Sequence, residues 1–236
     1  MRSNSQKTPI NIWLNTATGR KLLVRERHEI SRFLPSIYGY HGLELTPSNC
    51  QNKLIHSSQI MSPICLSTDG KQLFGDIKGI LSELPLCQQL FSCVISIHIH
   101  EQTDNHDQYF SQICDLIEPG GVLAIAGLDP RSWLNYVPGL IDKYPELNTA
   151  SPFQVKQILV NCNMQPIYQQ ACLSTPQLFK WNTTDVFDKK VSNSLGIPGL
   201  GFIMIARKNN ESGLVKSTHN KNRFTQEALN NAYEAR

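Results

Sequence analysis

The chain has 236 residues, 40% of them hydrophobic and 17% charged, with 22 Lys and Arg against 19 Asp and Glu. Those proportions describe a globular protein and exclude a disordered one, and the length suits one large domain with room for extensions. No apolar run approaches the roughly 18 residues that cross a bilayer, and the polar start from Met1 to Thr8 lacks the apolar core of a secretion signal.

The charge is segregated. Residues 1–32 hold seven Lys and Arg against Glu26 and Glu29, and residues 207–236 hold six against three Glu, which leaves an acidic body between basic ends. Such ends either stay solvated or meet nucleic acid or an acidic partner. The seven cysteines (50, 65, 87, 93, 114, 162 and 172) are an odd number without C-x-x-C spacing, and Cys93 and Cys114 sit in apolar stretches as small hydrophobes. A reducing cytoplasm is the expected compartment.

From Thr18 to Leu34, Leu22, Leu23, Ile30, Phe33 and Leu34 recur at helical spacing, and Pro35 ends the run. A short strand is expected over His41 to Leu45, broken by Thr46-Pro47-Ser48-Asn49. Lys53 to Ile60, Met61 to Leu66 and Phe74 to Leu81 are extended candidates around a Thr68-Asp69-Gly70-Lys71 turn. Phe91 to Ile99 is an apolar, β-branched run suited to a strand buried on both faces. Asp107 to Ile117 has helical periodicity, Pro119-Gly120-Gly121 punctuates, and Val122 to Ala126 is a second buried strand. This strand, helix, turn, strand order predicts a βαβ unit and a doubly wound α/β fold. Ser151-Pro152 opens a helix through Asn161, with the serine as N-cap. Ile167 to Leu173 and Gly199 to Ala206 read as strands, residues 174–198 as loop, and Phe224 to Ala235 as a short helix in a polar tail.

Glu118-Pro119-Gly120-Gly121-Val122-Leu123 resembles the segment that precedes a buried strand in class I S-adenosylmethionine-dependent methyltransferases. Further matches are Trp13 with Thr16 to Arg20, Tyr38-Gly39-Tyr40-His41, Gly127-Leu128-Asp129-Pro130-Arg131-Ser132-Trp133, and Leu200 to Lys208. Together they resemble a small bacterial family of methyltransferase-like proteins of the type-11 methyltransferase group. The resemblance implies a Rossmann-like, seven-stranded sheet over residues 13–208; the polar composition on either side predicts a flexible start at 1–12 and a basic, mobile tail at 209–236. The resemblance also implies S-adenosylmethionine bound across the carboxyl ends of the first strands, where open sheets take ligands.

On that alignment Glu44, Thr46, Asp69 and Glu83 are the candidate cofactor residues: Glu44 near the methionine amine, Asp69 at the ribose, and Glu83 for the adenine amine, since Ile80 stands where the acid is expected. The loop after the first strand normally reads acidic-x-G-x-G-x-G, because glycine lets backbone approach the nucleotide. This chain has Glu44-Leu45-Thr46-Pro47-Ser48-Asn49 instead.

Methyl transfer needs mainly orientation of a nucleophile against the sulfonium methyl. His98, after the fourth main strand, is the candidate catalytic base toward a hydroxyl or amine. His98, His100 and Glu101 also spell H-x-H-E, a metal-like string without a third ligand, so no metal is assigned; a histidine bonded to the backbone is the commoner case. His41 reads as packed and hydrogen-bonded, Asp129 as a cap or a cofactor contact, and Trp133 and Tyr136 as core or pocket wall. Two functions follow: a methyltransferase of unassigned substrate, or a non-catalytic module that kept the fold, lost the cofactor and binds a partner.

Overall fold

The computed structural model describes residues 8–47, 53–132, 147–173 and 198–210. Helices α1 (Pro9–Leu14) and α2 (Ala17–Ser31) lead into strands β1 (Tyr38–Pro47), β2 (Gln59–Thr68), β3 (Gln72–Gly75) and β4 (Gly79–Ile80). Strand β5 (Phe91–Ile97), helix α3 (His106–Leu116), β6 (Ile117–Leu128), α4 (Pro152–Asn161), β7 (Met164–Cys172) and β8 (Gly201–Lys208) complete the order.

The eight strands of the described residues form one sheet in the order β4-β3-β2-β1-β5-β6-β8-β7. The run β2-β1-β5-β6 is parallel, so the ends at Thr68, Pro47, Ile97 and Leu128 share one carboxyl edge. Strand β8 is antiparallel to both of its neighbours, and β3 and β4 fold back as antiparallel additions. The two-residue β4 takes the sheet from the expected seven strands to eight.

Alternation along the central strands sorts side chains between two helix layers. Leu43, Leu45, Val94, Leu123 and Met204 face α3 and α4, whereas Cys93, Ile95, Ala124, Ile203 and Ile205 face α1 and α2. Every residue of β5 is buried, as a strand covered on both faces requires. Helix α3 begins where Asn105 accepts the Gln108 amide, and α4 begins with a capping box between Ser151 and Gln154.

Several local expectations shift. The leading helix ends at Ser31, and Pro35 lies in a separate 3-10 turn. Lys53 to Ile60 is not a strand: Ile55–Ser57 forms a 3-10 turn, because the Ile55 amide is drawn to the Glu44 carboxylate (2.8 Å), and extended structure begins only at Gln59. Loop 174–198 up to residue 197, Trp133, Tyr136, Ser48, Asn49, residues 1–7 and the basic tail beyond residue 210, with Phe224 to Ala235, lie outside the described residues. No helix among the described residues is long and apolar enough to cross a membrane.

Candidate functional site

The carboxyl edge carries a cleft of about 170 Å³. One wall is Leu81 and Ser82, just past β4; the other runs from Gln102 through Asn105 and Tyr109 to Gln112, over the first turns of α3; Lys71 adjoins both. The Gln112 amide donates to the Ser82 carbonyl (2.6 Å) and ties the walls together. Tyr109 packs its ring inward and shares a 2.7 Å hydrogen bond with Ser96, and burial, outweighing that bond, pushes its hydroxyl pKa up. Beyond Asp104 and Asn105 a more open groove of about 470 Å³ continues between α3 and α4, past Asn148, Gln154 and Asn161.

The four candidate cofactor residues are not gathered in this cleft. Glu44 lies three residues inside β1, fully buried, with its side chain turned to the α2 layer. Its Oε2 accepts the Ile55 amide at 2.8 Å and its Oε1 lies 3.9 Å from Arg27 of α2. Thr46 is also buried, and its hydroxyl accepts the Lys53 ammonium at 3.0 Å; the same ammonium reaches Ser67 on β2 at 3.1 Å. Asp69 stands in the β2–β3 turn, where the Thr68 hydroxyl donates to the Gly70 carbonyl (2.8 Å) and accepts the Gly70 amide (3.1 Å). Glu83 is exposed at the far edge, bridged to Ile80. Asp69 and Glu83 adjoin the cleft only through their neighbours Lys71 and Ser82.

His98 occupies a different environment from the one expected. It is fully buried, with a left-handed backbone (φ 52°) that ends β5, and both ring nitrogens meet carboxylates. Nε2 lies 2.8 Å from Glu26 of α2 and Nδ1 lies 3.0 Å from Glu101. Its side chain therefore bonds acids and not the backbone. Burial alone lowers its pKa, but the Glu26 and then the Glu101 charge, with their hydrogen bonds, carry it well above the ordinary value. Glu101 is raised by burial yet held down to about 2 by the charges of His100 and His98, by the His98 ring and by the Leu128 amide, which donates at 2.8 Å. Glu26 is driven up chiefly by burial, against the pull of His98.

Because β5 stops at Ile97, His98 and His100 do not share a strand face. His100 packs between Phe110, Phe202 and His106, and burial takes its pKa down to about 4. His41 packs on Tyr40 and Phe91, and its Nδ1 has no hydrogen-bond partner, contrary to the expected bonded ring. Asp129 forms the turn after β6: it accepts the Arg131 amide (3.0 Å) and pairs with the Arg131 guanidinium through both carboxylate oxygens.

Sequence reasoning passed over Glu26. The signal was present: Glu26 falls on the buried stripe of α2 between Leu22 and Ile30, four residues from each, where a charge demands a partner.

With this geometry established, the fold is recognisable among solved structures. A S-adenosylmethionine-dependent methyltransferase from Archaeoglobus fulgidus superposes over 84% of this chain and 98% of its own, with 16% identity and a TM-score of 0.60. The chain has the class I methyltransferase fold. A Haloferax volcanii complex between a methyltransferase activator and a protein described as a methyltransferase gives a TM-score of 0.54 over 85% of this chain and 98% of that one, at 11% identity. A Galdieria sulphuraria protein described as a sarcosine dimethylglycine methyltransferase gives 0.53 over 86% and 98%, also at 11% identity. No family model and no curated sequence matches the chain. At these identities the likeness is one of architecture, and function has to be argued from the site.

Proposed function

We propose that the chain is an S-adenosylmethionine-dependent methyltransferase that receives the adenosine end of the cofactor in the cleft between Leu81-Ser82 and α3. The observation that carries this reading is the position of the cleft: it opens at the carboxyl edge of the parallel strands, beside the segment Gly79 to Leu86 that resembles the family's adenine-binding stretch. Leu81 supplies an apolar wall; Ser82, Gln102, Asn105, Gln108 and Gln112 supply hydrogen-bonding groups for a base and ribose. The cofactor, when bound, supplies a methyl group on a sulfonium; the protein's part is orientation.

The fit is limited to the nucleoside end. About 170 Å³ is less than the roughly 300–1,000 Å³ of pockets that enclose a whole small molecule. At the end of β1, Glu44 is committed to Ile55 and faces Arg27, and the Lys53 ammonium closes over Thr46 and Ser67. An ammonium there repels the sulfonium and the amine of the methionine end while attracting its carboxylate, so it does not by itself hold the cationic groups. No transfer step is therefore assigned to a side chain, and His98, held between two carboxylates, is assigned to positioning.

The same Lys53 contact favours a second reading, a non-catalytic module that takes a nucleoside or nothing at all. Calorimetric titration with S-adenosylmethionine, S-adenosylhomocysteine and adenosine separates them, with Ser82→Trp as an exposed, cleft-filling control. Micromolar binding of the first two, lost in Ser82→Trp, supports the methyltransferase. Binding of adenosine alone supports the second reading, and no binding at millimolar ligand removes the cofactor site.

A further inference from the structure

Gln102 closes the 3-10 turn His100–Gln102 after β5 and belongs to the cleft wall that faces Leu81 and Ser82. It is anchored twice. Its backbone amide donates to the Ile99 carbonyl (2.9 Å), and its side-chain Nε2 donates to the His98 carbonyl (3.1 Å). A carbonyl can only accept, so this bond decides which end of the carboxamide is nitrogen and leaves Oε1 as the free end. The anchor is itself held still, because His98 sits in a left-handed backbone conformation (φ 52°) with its ring between Glu26 (2.8 Å) and Glu101 (3.0 Å). Oε1 is buried and has no hydrogen-bond partner among the described residues. A buried acceptor without a donor is costly, and a wall that presents one calls for a donor from the ligand.

We propose, resting on the reading of this cleft as a nucleoside site, that Gln102 selects the base: its Oε1 accepts a hydrogen bond from the exocyclic amine of an adenine. A base lying against Leu81 turns its edge to the opposite wall, where ring nitrogens need donors and the amine needs an acceptor. The other acceptors of that wall are committed or wet. Asn105 Oδ1 is spent on the Gln108 amide (3.1 Å). Asp104 and Gln108 are exposed, and the Gln112 carboxamide, oriented by its bond to the Ser82 carbonyl, lies at the surface. A ligand at those groups only replaces water. At Gln102 Oε1 it displaces no water and makes a bond that is otherwise unmade. Glu83, which the sequence pointed to for this amine, is exposed and is not among the residues of the cleft.

This gives the buried acids around His98 a purpose in recognition. They hold the imidazole, the imidazole's residue holds its carbonyl, and the carbonyl holds the Gln102 carboxamide in one orientation. A purine without the amine leaves Oε1 orphaned, and a purine with a carbonyl in its place sets acceptor against acceptor. A site built around a buried polar group discriminates against both.

The test is calorimetric titration of the full chain with adenosine, with purine riboside, which lacks only the amine, and with inosine, which carries an oxygen in its place. Adenosine is expected to bind roughly tenfold to a hundredfold more tightly than purine riboside, the effect of satisfying one buried acceptor, and inosine no better than purine riboside. In Gln102→Met, which keeps the length of the side chain and removes the acceptor, the preference for adenosine is expected to disappear while purine riboside, which never meets the acceptor, keeps its wild-type affinity. Equal affinities for adenosine and purine riboside in the wild type, or a preference that survives in Gln102→Met, overturn the proposal and leave the nucleoside reading of the cleft standing. A penalty for deoxyadenosine that Gln102→Met removes would put a ribose hydroxyl on Oε1 and overturn it as well. No binding of any of these nucleosides at millimolar concentration removes the cleft reading and this role of Gln102 with it.

Discussion

Glu26 on α2 and His98 at the end of β5 meet at 2.8 Å across 72 residues of sequence, both fully buried. The contact pins the leading helix to the carboxyl end of the central strand, beside the turn that starts the α3 wall of the cleft. Removing Glu26 leaves His98 bonded to Glu101 but strips its Nε2 of a buried partner, which costs about 1–3 kcal/mol. Glu26→Ala is therefore expected to lower the free energy of unfolding by that amount in urea denaturation. A loss below about 1 kcal/mol would show that α2 docks by its apolar stripe alone.

The pH dependence follows from the direction of the His98 shift. A histidine whose folded pKa is raised contributes stability that is fully present below its unfolded value of about 6.5 and fades as pH climbs through the folded value. The wild type should lose stability on the alkaline side more steeply than His98→Gln. Denaturation midpoints between pH 6 and pH 10 measure this, and parallel profiles for the two proteins would contradict it.

His100 carries the opposite sign. Its folded pKa is lowered to about 4, so the unfolded chain takes up the proton first and stability falls as pH drops from about 6.5 toward 4. The shift corresponds to about 3 kcal/mol across that window. His100→Phe, placed among Phe110 and Phe202, should remove most of this acid-side loss, read as the difference between the two stability curves at pH 4.5 and pH 7.5. If wild type and variant fall together, the acid sensitivity lies elsewhere.

Gly127 on β6 gives His100 its space. A Cβ at Gly127 would lie 2.3 Å from His100 Cε1 and 2.5 Å from Nε2, so one or the other must move. Gly127→Ala is expected to cost about 1–3 kcal/mol as an overpacking change. Combined with His100→Ala it should cost less than the sum of the two single changes, a coupling readable by a double-mutant cycle. Strict additivity would mean that the clash is relieved without His100.

The elements whose signals are local were legible in the sequence. The run Phe91 to Ile99 declared a buried strand by β-branched continuity, although the strand stops at Ile97, and the helix after Ser151-Pro152 declared itself by its cap, which the Gln154 contact completes. The Thr68 to Lys71 turn was also readable, since Gly70 adopts φ 129° there. The site was less legible because its bonds span the chain. Glu26 looks like one more surface charge between Arg25 and Arg27 until His98 at the end of β5 and Gly201 of β8 meet it. Glu44 reads as a strand-end acid, yet β1 runs on to Pro47 and leaves it inside. Lys53 carries no signal for Thr46 and Ser67 until β1 and β2 pair in register.

The place of β8 in the sheet bears on how the chain is made. Among the described residues β7 has a single strand neighbour, β8, and β6 has its outer neighbour in β8 as well. On the ribosome β6 and β7 emerge before β8 exists, so an apolar edge waits unpaired until residues 201–208 leave the exit tunnel. Vectorial synthesis thus makes docking of β8 a step that follows the emergence of both its neighbours, and the nascent chain depends until then on whatever shields an open edge.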